Sequence, residues 1–364
     1  MFAYYLRIAL LGLRRQPVLS ALMVLAIGVG VATAMTALTI LHRLGSDPIP
    51  TKSDRLYALA VDNWNEEDPW GERDGQPVAP DLLTHTDAMA LLAADKALRT
   101  AVMYAVGLTV QPETEGLRPY ATSVRATSPD FFAMFDVPFL HGGPWSETDE
   151  SDRARVVVLS KASNERLFGG ENSVGRRVRM SDQYYTVVGV IDEWTPRPKF
   201  YDVSTGAMND PEPFYVPLQL AITEDFGVNG NINCYEAPGQ GRASFLASEC
   251  IWLQGWVELP DAAAVSAYQD FLQSYVAEQK QAGRDFMRPH LTAAVPLRQW
   301  LDLRGVVPDD MRMFTLLGFA FLLVCLLNAG TLLLAKFLRR SGEIGLRRAV
   351  GASKRALFTQ YLTE

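Results

Sequence analysis

The sequence predicts an α+β domain of mixed strands and helices, inserted between two transmembrane α-helices. Charged residues make up 21% of the chain, yet residues 16–41 and 313–335 contain none. Each run is longer than the roughly 20 apolar residues that cross a hydrocarbon core about 30 Å thick. The long segment between them mixes period-two and helical patterns, which indicates strands and helices in one domain.

The first apolar run also begins like a secretory signal peptide, because Arg7, Arg14 and Arg15 precede it. It is longer, however, than the apolar stretch of about 7 to 15 residues that signal peptides carry. The nearest Ala-x-Ala sequence, at residues 32–34, lies inside the run and not after it. We therefore predict a retained membrane anchor.

The distribution of charge predicts the orientation in the membrane. The chain has 34 Lys and Arg against 41 Asp and Glu, a net charge of −7. Three basic and no acidic residues precede position 43, and seven basic residues but only Glu343 and Glu364 follow position 335, so the middle carries −15. Because basic flanks stay cytoplasmic, we predict a protein of the bacterial inner (plasma) membrane with both termini in the cytoplasm and residues 43–311 periplasmic or extracellular. This balance gives no indication of nucleic acid as a partner.

The apolar runs divide the chain into five segments. Residues 1–16 predict an amphipathic helix in the membrane interface; a plain extension of the first span is the alternative, although Pro17 favours a break. The remaining segments are a transmembrane helix at 17–42, the outer domain at 43–311, a second transmembrane helix at 312–335 and a cytoplasmic segment at 336–364.

Within the outer domain, apolar alternation and helical spacing predict the elements. Residues 195–250 are rich in Pro, Gly, Asn and Asp without periodicity, and predict a loop-rich insertion. Strands are predicted at 55–61, 100–110, 120–126, 154–159, 184–191 and 251–259, and helices at 81–94, 129–135, 161–168 and 262–281.

Small residues and cysteines predict further contacts. Small side chains let helices approach closely in lipid, and Asn328 is predicted to find a partner across such a helix interface. Cys234 and Cys250 lie in the translocated segment, where an oxidising compartment permits a disulfide; two independent thiols are the alternative. The small or polar residues in the two runs are Gly28, Gly30, Ala32, Ala34 and Thr36, then Gly318, Asn328, Ala329 and Gly330.

No motif typical of an enzyme is present in the sequence. His42, His85, His141 and His290 are scattered, without a metal-ligand spacing such as His-Glu-x-x-His. No Gly-x-Ser-x-Gly nucleophile motif occurs. We therefore predict no catalytic residue, no metal and no cofactor on this chain.

Several short motifs follow one another between residues 120 and 190. They are Ser-Pro-x-Phe-Phe at 128–132, Gly-Gly at 142–143, Val-Val-Val-Leu-Ser at 156–160, Leu-Phe-Gly-Gly at 167–170, Val-Gly at 174–175 and Val-Val-Gly-Val at 187–190. In this order they resemble the extracytoplasmic core domain of MacB-like ABC transporter permeases. The resemblance implies the fold of that domain for residues 43–311.

A second motif follows the second apolar run. Residues 343–353 read Glu-Ile-Gly-Leu-Arg-Arg-Ala-Val-Gly-Ala-Ser and are similar to the cytoplasmic motif of MacB/FtsX-type permeases. The residues themselves predict a short amphipathic helix that ends at Gly351, with Ser353 capping the next helix. By resemblance this segment couples to a separate ATPase subunit; binding of anionic headgroups is a compatible alternative. The implied coupling residues are Glu343, Ile344, Gly345, Leu346, Arg347, Arg348 and Gly351.

The resemblance implies a permease subunit in which ATP hydrolysis by a partner moves the outer domain, with export or efflux as the outcome. The implied partners are a cytoplasmic ABC ATPase that binds the ATP, a second permease copy or paralogue, membrane lipid and a periplasmic adaptor. Family permeases carry four spans, so a chain ending at Glu364 is expected to be a fragment or a truncated product.

Two other functions fit the same topology. A two-span sensor would bind a ligand outside and signal inward, but it would need a signalling element after the second span, where this sequence has the second motif. An FtsX-like regulator of cell-wall enzymes is the other alternative, for which the outer domain is large.

Overall fold

The computed structural model describes residues 17–65, 67–73, 75–112, 118–307 and 309–339, together with 342, 345, 346, 349–351 and 353. The predicted amphipathic helix at 1–16 lies outside the described residues. The chain forms two compact units. We call Ser46–Val306 the sheet unit, and the residues up to Gly45 together with those from Val307 onward the helix unit.

The described elements are numbered in chain order. The helices are α1 Pro17–Gly45, α2 His85–Ala93, α3 Asp130–Met134, α4 Glu147–Ser151, α5 Lys161–Phe168, α6 Leu218–Thr223, α7 Arg242–Leu246, α8 Ala262–Gln281, α9 Leu297–Leu303 and α10 Asp309–Arg339. The strands are β1 Leu56–Ala60, β2 Gly71–Arg73, β3 Gln76–Val78, β4 Leu83–Thr84, β5 Arg99–Gln111, β6 Tyr120–Thr127, β7 Phe139–Gly142, β8 Val156–Ser160, β9 Arg177–Met180, β10 Gln183–Ile191, β11 Phe214–Pro217, β12 Ile251–Glu258 and β13 Ala293–Pro296. The predicted α+β class, with a long apolar helix before and after the domain in sequence, is confirmed.

One large sheet organises the sheet unit. Its strands follow the order β13-β1-β12-β5-β6-β11-β8-β10-β7, with β4 beside β12 and β9 beside β10. β8 runs parallel to β10, and β6 runs parallel to β11. β9 also pairs with β5, where Val110 lies opposite Met180. The strands β5, β6, β11, β8, β10 and β9 thus form a closed ring, and closure leaves fewer unpaired strand edges.

The two larger hydrophobic cores among the described residues lie on opposite faces of the sheet. Along β5, Val102, Tyr104 and Val106 belong to one core, whereas Ala101 and Met103 belong to the other. This division follows from the alternation of side chains along a strand. Helices α2 and α8 contribute to the first core, and α3 contributes to the second.

Capping residues set the boundaries of two predicted helices. The Ser160 hydroxyl accepts a hydrogen bond from the Ser163 N–H at 3.2 Å and begins α5, and Gly169, at φ 66°, ends it. The Asp261 carboxylate accepts from the Ala264 N–H at 2.9 Å and begins α8. Such caps satisfy the free backbone groups at helix ends, so these two boundaries match the predicted ones.

Residues 195–250 are loop-rich, as the sequence predicts, but they are not an insertion outside the sheet. They include β11, which lies in the middle of the sheet between β6 and β8, and the short helices α6 and α7. All four residues of β11 are buried. A strand buried on both faces shows no alternation, and one of four residues is too short to stand out from its Pro-rich surroundings.

Candidate coupling site

The predicted coupling segment follows α10 in the chain. Gly345 and Leu346 are helical, and Leu346 is 69% exposed. The structure therefore places only part of the predicted site. The predicted residues that lie outside the described part are Glu343, Ile344, Arg347 and Arg348.

Gly351 ends the helical turn of this segment. The Val350 N–H donates to the Leu346 carbonyl at 3.1 Å, which closes one turn. Gly351 follows with a φ of +99°, a conformation that glycine adopts without steric cost. Val350 is 84% exposed. An exposed apolar pair beside basic residues suits contact with a protein groove or with lipid headgroups.

The helices α1 and α10 pack against each other along small residues. A Cβ atom placed on Gly30 would lie 3.1 Å from Leu322 Cδ1, and one on Gly318 would lie 3.4 Å from Ala34 Cα. Contacts that repeat alternately every four and every three residues along a helix are typical of helix pairs that cross at about 20°. We call this contact the seam. Its buried and half-buried positions include Met23, Ile27, Gly30, Ala34, Ala37 and Leu41 on α1, and Met311, Thr315, Gly318, Leu322, Cys325 and Ala329 on α10.

Both helices are long and apolar enough to cross a membrane. The spans are Ala21–His42 and Met313–Thr331, with mean hydropathies of 2.2 and 2.1. Away from the seam their apolar side chains stay exposed, including Leu25 at 63% and Leu316 at 70%. A continuous apolar surface of this kind needs lipid or further helices to cover it.

Part of the predicted small-residue pattern lies away from the seam. Gly30 and Ala34 are buried, but Gly28 is exposed and has nothing within 4 Å of a Cβ placed on it. Asn328 is also exposed, so it does not lie at the seam, and its partner across a helix interface stays a prediction. Adjacent positions on a helix point about 100° apart. Ala329 at the seam therefore turns Asn328 away, and the other predicted residues that face away are Ala32, Thr36 and Gly330.

A disulfide joins Cys234 to Cys250 in the sheet unit. Cys250 immediately precedes β12 and is 1% exposed. Beside it, Asn233 pairs with Ile251 through two backbone hydrogen bonds. The segment that leads into α7 is therefore tied to a central strand.

A buried ionic cluster, which the sequence analysis missed, holds the segment between β10 and β11. Arg125 on β6 donates to Asp202 at 2.5 Å and also donates to Glu212. Lys199 Nζ lies 2.9 Å from Glu212 Oε1, and the Tyr201 hydroxyl donates to Glu212 Oε2 at 3.0 Å. All five residues are buried. The one signal for this cluster in the sequence is a single arginine within the strand pattern.

Charge pairing keeps both carboxylates of this cluster ionised. Burial by itself would raise the pKa of Asp202, but Arg125 and Lys199 lower that pKa to about 2. Burial opposes the same two cations at Glu212, whose pKa is also lowered. Two positive and two negative groups thus balance, and removing one partner of such a buried set costs about 3–5 kcal/mol.

A second ionic cluster lies next to the disulfide. Arg284 pairs with Asp87 at 2.6 Å and with Glu249 at 2.7 Å. The Tyr275 hydroxyl donates to Asp87 at 2.6 Å. These contacts link α2 and α8 to the residue that precedes Cys250. In the described part of the chain, His, Cys, Asp and Glu form no group of three or more that could hold a metal ion.

Comparison with known proteins identifies the family. The model of the MacB-like periplasmic core domain matches residues 20–275. The chain therefore belongs to the MacB-like family of ABC transporter permeases. The macrolide export ATP-binding/permease protein MacB of Rhodospirillum rubrum is 28% identical over 372 residues, covering 100% of this chain and 50% of that protein. The uncharacterized ABC transporter permease YvrN of Bacillus subtilis is 21% identical over 371 residues, covering 99% of this chain and 82% of YvrN.

Other similar proteins match about two thirds of this chain. The MacB protein of Bdellovibrio bacteriovorus is 22% identical over 253 residues, which is 68% of this chain but 32% of that protein. The chain thus spans a third to a half of the length of these MacB relatives. The solved periplasmic region of MacB from Actinobacillus actinomycetemcomitans has a TM-score of 0.39 at 13% identity, covering 66% of this chain and 96% of that structure.

Proposed function

We propose that this chain couples a separate cytoplasmic ATPase to movement of its sheet unit. In this mechanism the partner binds and hydrolyses ATP, and the helix unit transmits the resulting displacement through the membrane. Export or efflux of a substrate is the proposed outcome. The resemblance to permeases named as macrolide exporters supports the proposal.

The continuous helix α10 is the observation that supports coupling most. It runs 31 residues from Asp309 to Arg339 without interruption, about 46 Å at 1.5 Å per residue. A hydrocarbon core is about 30 Å thick, so the helix extends beyond the membrane. The sheet unit ends at Val306, which leaves a short link between it and this helix. A displacement of the far end of α10 can therefore be carried along its length.

The proposed orientation places the basic flanks in the cytoplasm and the acidic sheet unit on the other side. The Cys234–Cys250 disulfide supports this placement, because structural disulfides persist in oxidising compartments. The proposed partners are the ATPase, a second permease copy or paralogue, membrane lipid and a periplasmic adaptor. A reporter enzyme that is active only outside the cytoplasm should be active when it is fused within the sheet unit. A reporter that is active only in the cytoplasm should be inactive at the same position.

Two glycine substitutions test the coupling role. Gly351 and Gly283 both have positive φ, +99° and +91°, and a Cβ on either would meet nothing within 4 Å. Replacement by alanine therefore imposes a similar backbone strain of about 1–2 kcal/mol at each site. We expect Gly351→Ala to reduce co-purification of the ATPase and transport-coupled ATPase activity, while Gly283→Ala, at the end of α8, leaves both unchanged. Equal activity of the two variants would contradict the coupling assignment.

A further inference from the structure

A cavity of about 440 Å³ opens in the sheet unit where β8 and β10 end. These parallel neighbours finish side by side, with Ser160 paired to Ile191. Residues 210–213, which precede β11, form another wall. Crevices outside the carboxyl ends of parallel strands are frequent ligand sites, and pockets for small molecules measure roughly 300–1,000 Å³.

The cavity has an apolar lining that includes Ile191, Trp194 and Pro213. Tyr201 stacks on the indole of Trp194, with ring centroids 5.4 Å apart and planes inclined by 16°. Phe131 contacts the same indole edge-on at 5.9 Å. The indole is therefore held in position, yet it is only half-buried and lines the cavity. Tryptophan is the aromatic side chain that attracts cations most strongly.

The charged lining of the cavity is predominantly acidic. Lys161 forms an ion pair with Asp192 at 2.8 Å, and the Asp210 carboxylate pairs with Arg197. Neither Glu165 nor Glu193 forms an ion pair with any described residue, and both are exposed. The charged residues that line the cavity around its apolar part are Lys161, Glu165, Asp192, Glu193, Asp210 and Glu212.

The carboxylate of Glu212, at the buried end of this lining, is not available to pair with a bound molecule. Glu212 directs its carboxylate oxygens to Arg125, Lys199 and Tyr201, so its charge is compensated within the sheet unit. The carboxylates that form no ion pair are thus Glu165 and Glu193, next to the solvent, and Lys161, which also lines the cavity, interacts electrostatically with both. A bound molecule would contact apolar side chains in the buried part of the cavity and carboxylates at its solvent-exposed edge.

We propose that this cavity binds an organic cation with an apolar body. Its ammonium or guanidinium group would lie between the carboxylates of Glu165 and Glu193, and its apolar part would pack on Trp194. Binding here needs neither ATP nor a partner subunit, so it can be measured separately from the coupling role.

The experiment uses the full chain in lipid nanodiscs and three probes with the same aromatic ring. These are 2-phenylethylamine, which is cationic at pH 7, neutral 2-phenylethanol and anionic phenylacetate. Saturation-transfer NMR measures binding of each probe, with empty nanodiscs as the blank. We expect saturable binding of the amine, weaker binding of the alcohol and none of the acid, and amine binding should weaken as salt is raised.

Two variants locate the binding. Glu165→Gln combined with Glu193→Gln should weaken amine binding about thirtyfold, since two carboxylates that each contribute about 1 kcal/mol at 4 Å together contribute about 2 kcal/mol. The matched control is Asp270→Asn combined with Glu278→Gln, which removes two exposed carboxylates from α8 and should leave binding unchanged. Trp194→Leu should weaken binding about twofold to thirtyfold.

The results that would overturn the proposal are distinct from a failure to fold. The glutamine variants change exposed side chains outside both cores, and circular dichroism checks that they fold. The proposal is wrong if no amine binding saturates, if the three probes bind equally, or if the Glu165/Glu193 variant binds the amine as tightly as the α8 control.

Discussion

Gly30 lies where α1 and α10 touch, and a side chain there should separate the two helices. A Cβ atom at this position would lie 3.1 Å from Leu322 Cδ1, 3.3 Å from Leu322 Cα and 3.4 Å from Cys325 Cβ. Because the second of these is backbone, rotation of a side chain cannot relieve the contact. The additional methyl groups of valine lie further into the seam, and overpacking of this kind typically costs about 1–3 kcal/mol.

Gly28, two residues earlier on the same helix, provides the matched control. Nothing lies within 4 Å of a Cβ placed there, and the position is exposed. Gly28→Val and Gly30→Val change intrinsic helix propensity and lipophilicity equally, so the difference between them isolates the contact with α10.

The assay is unfolding of the helix pair in mixed micelles as the fraction of sodium dodecyl sulfate rises, followed by energy transfer between dyes on the two helices. Gly30→Val should unfold at a lower fraction than wild type by the equivalent of about 1–3 kcal/mol, and Gly28→Val should not. If the seam also transmits movement, Gly30→Val should lower ATPase coupling as well. Equal midpoints for the two variants would refute the packing described here.

Three further predictions concern the sheet unit. Arg125→Met leaves two buried carboxylates with one cation and should lower the free energy of unfolding by about 3–5 kcal/mol, whereas Arg118→Met, at an exposed site, should change it by less than about 0.5 kcal/mol; denaturant titration distinguishes them. Replacing Cys234 and Cys250 together by alanine should cost about 3 kcal/mol and increase hydrogen exchange before β12, while exchange at β8 stays unchanged; unaltered exchange in both regions would contradict this. Burial raises the pKa of Glu150 to about 7 despite the hydrogen bonds that it accepts, so its protonated form is favoured in the folded state. The stabilisation from this group is fully present below its ordinary pKa near 4.5 and is lost as the pH rises through about 7, by roughly 3 kcal/mol. Glu150→Gln should therefore reduce the fall in the free energy of unfolding over this pH range. An unchanged pH dependence would exclude this carboxyl as its source.

The elements that sequence predicted well are those with strong local signals. The long strand β5 has apolar residues on both faces, and α8 combines helical spacing with a capping aspartate, Asp261. The boundaries of α5 follow from Ser160 and Gly169, because a cap and a left-handed glycine act within a single turn. The two spans are also evident, because a run of uncharged residues needs no knowledge of tertiary contacts.

The features that sequence did not predict depend on residues far apart in the chain. The Arg125–Asp202 contact spans 77 residues, and β11 is defined by its position between β6 and β8 more than by its own sequence. In the spans, Gly28 and Gly30 are equivalent by composition, and only the partner helix distinguishes them. Local patterns therefore predicted the class and the spans, whereas the ionic clusters and the seam required the fold.

Hydrogen exchange in the reconstituted complex tests the central proposal most directly. The full chain and its ATPase, in nanodiscs, would be compared without nucleotide and trapped with ATP. Coupling through α10 predicts that exchange within the sheet unit changes between the two states, and that Gly351→Ala removes the change while Gly283→Ala preserves it. Identical exchange of Ser46–Val306 in both nucleotide states would contradict the proposal that ATP moves this unit.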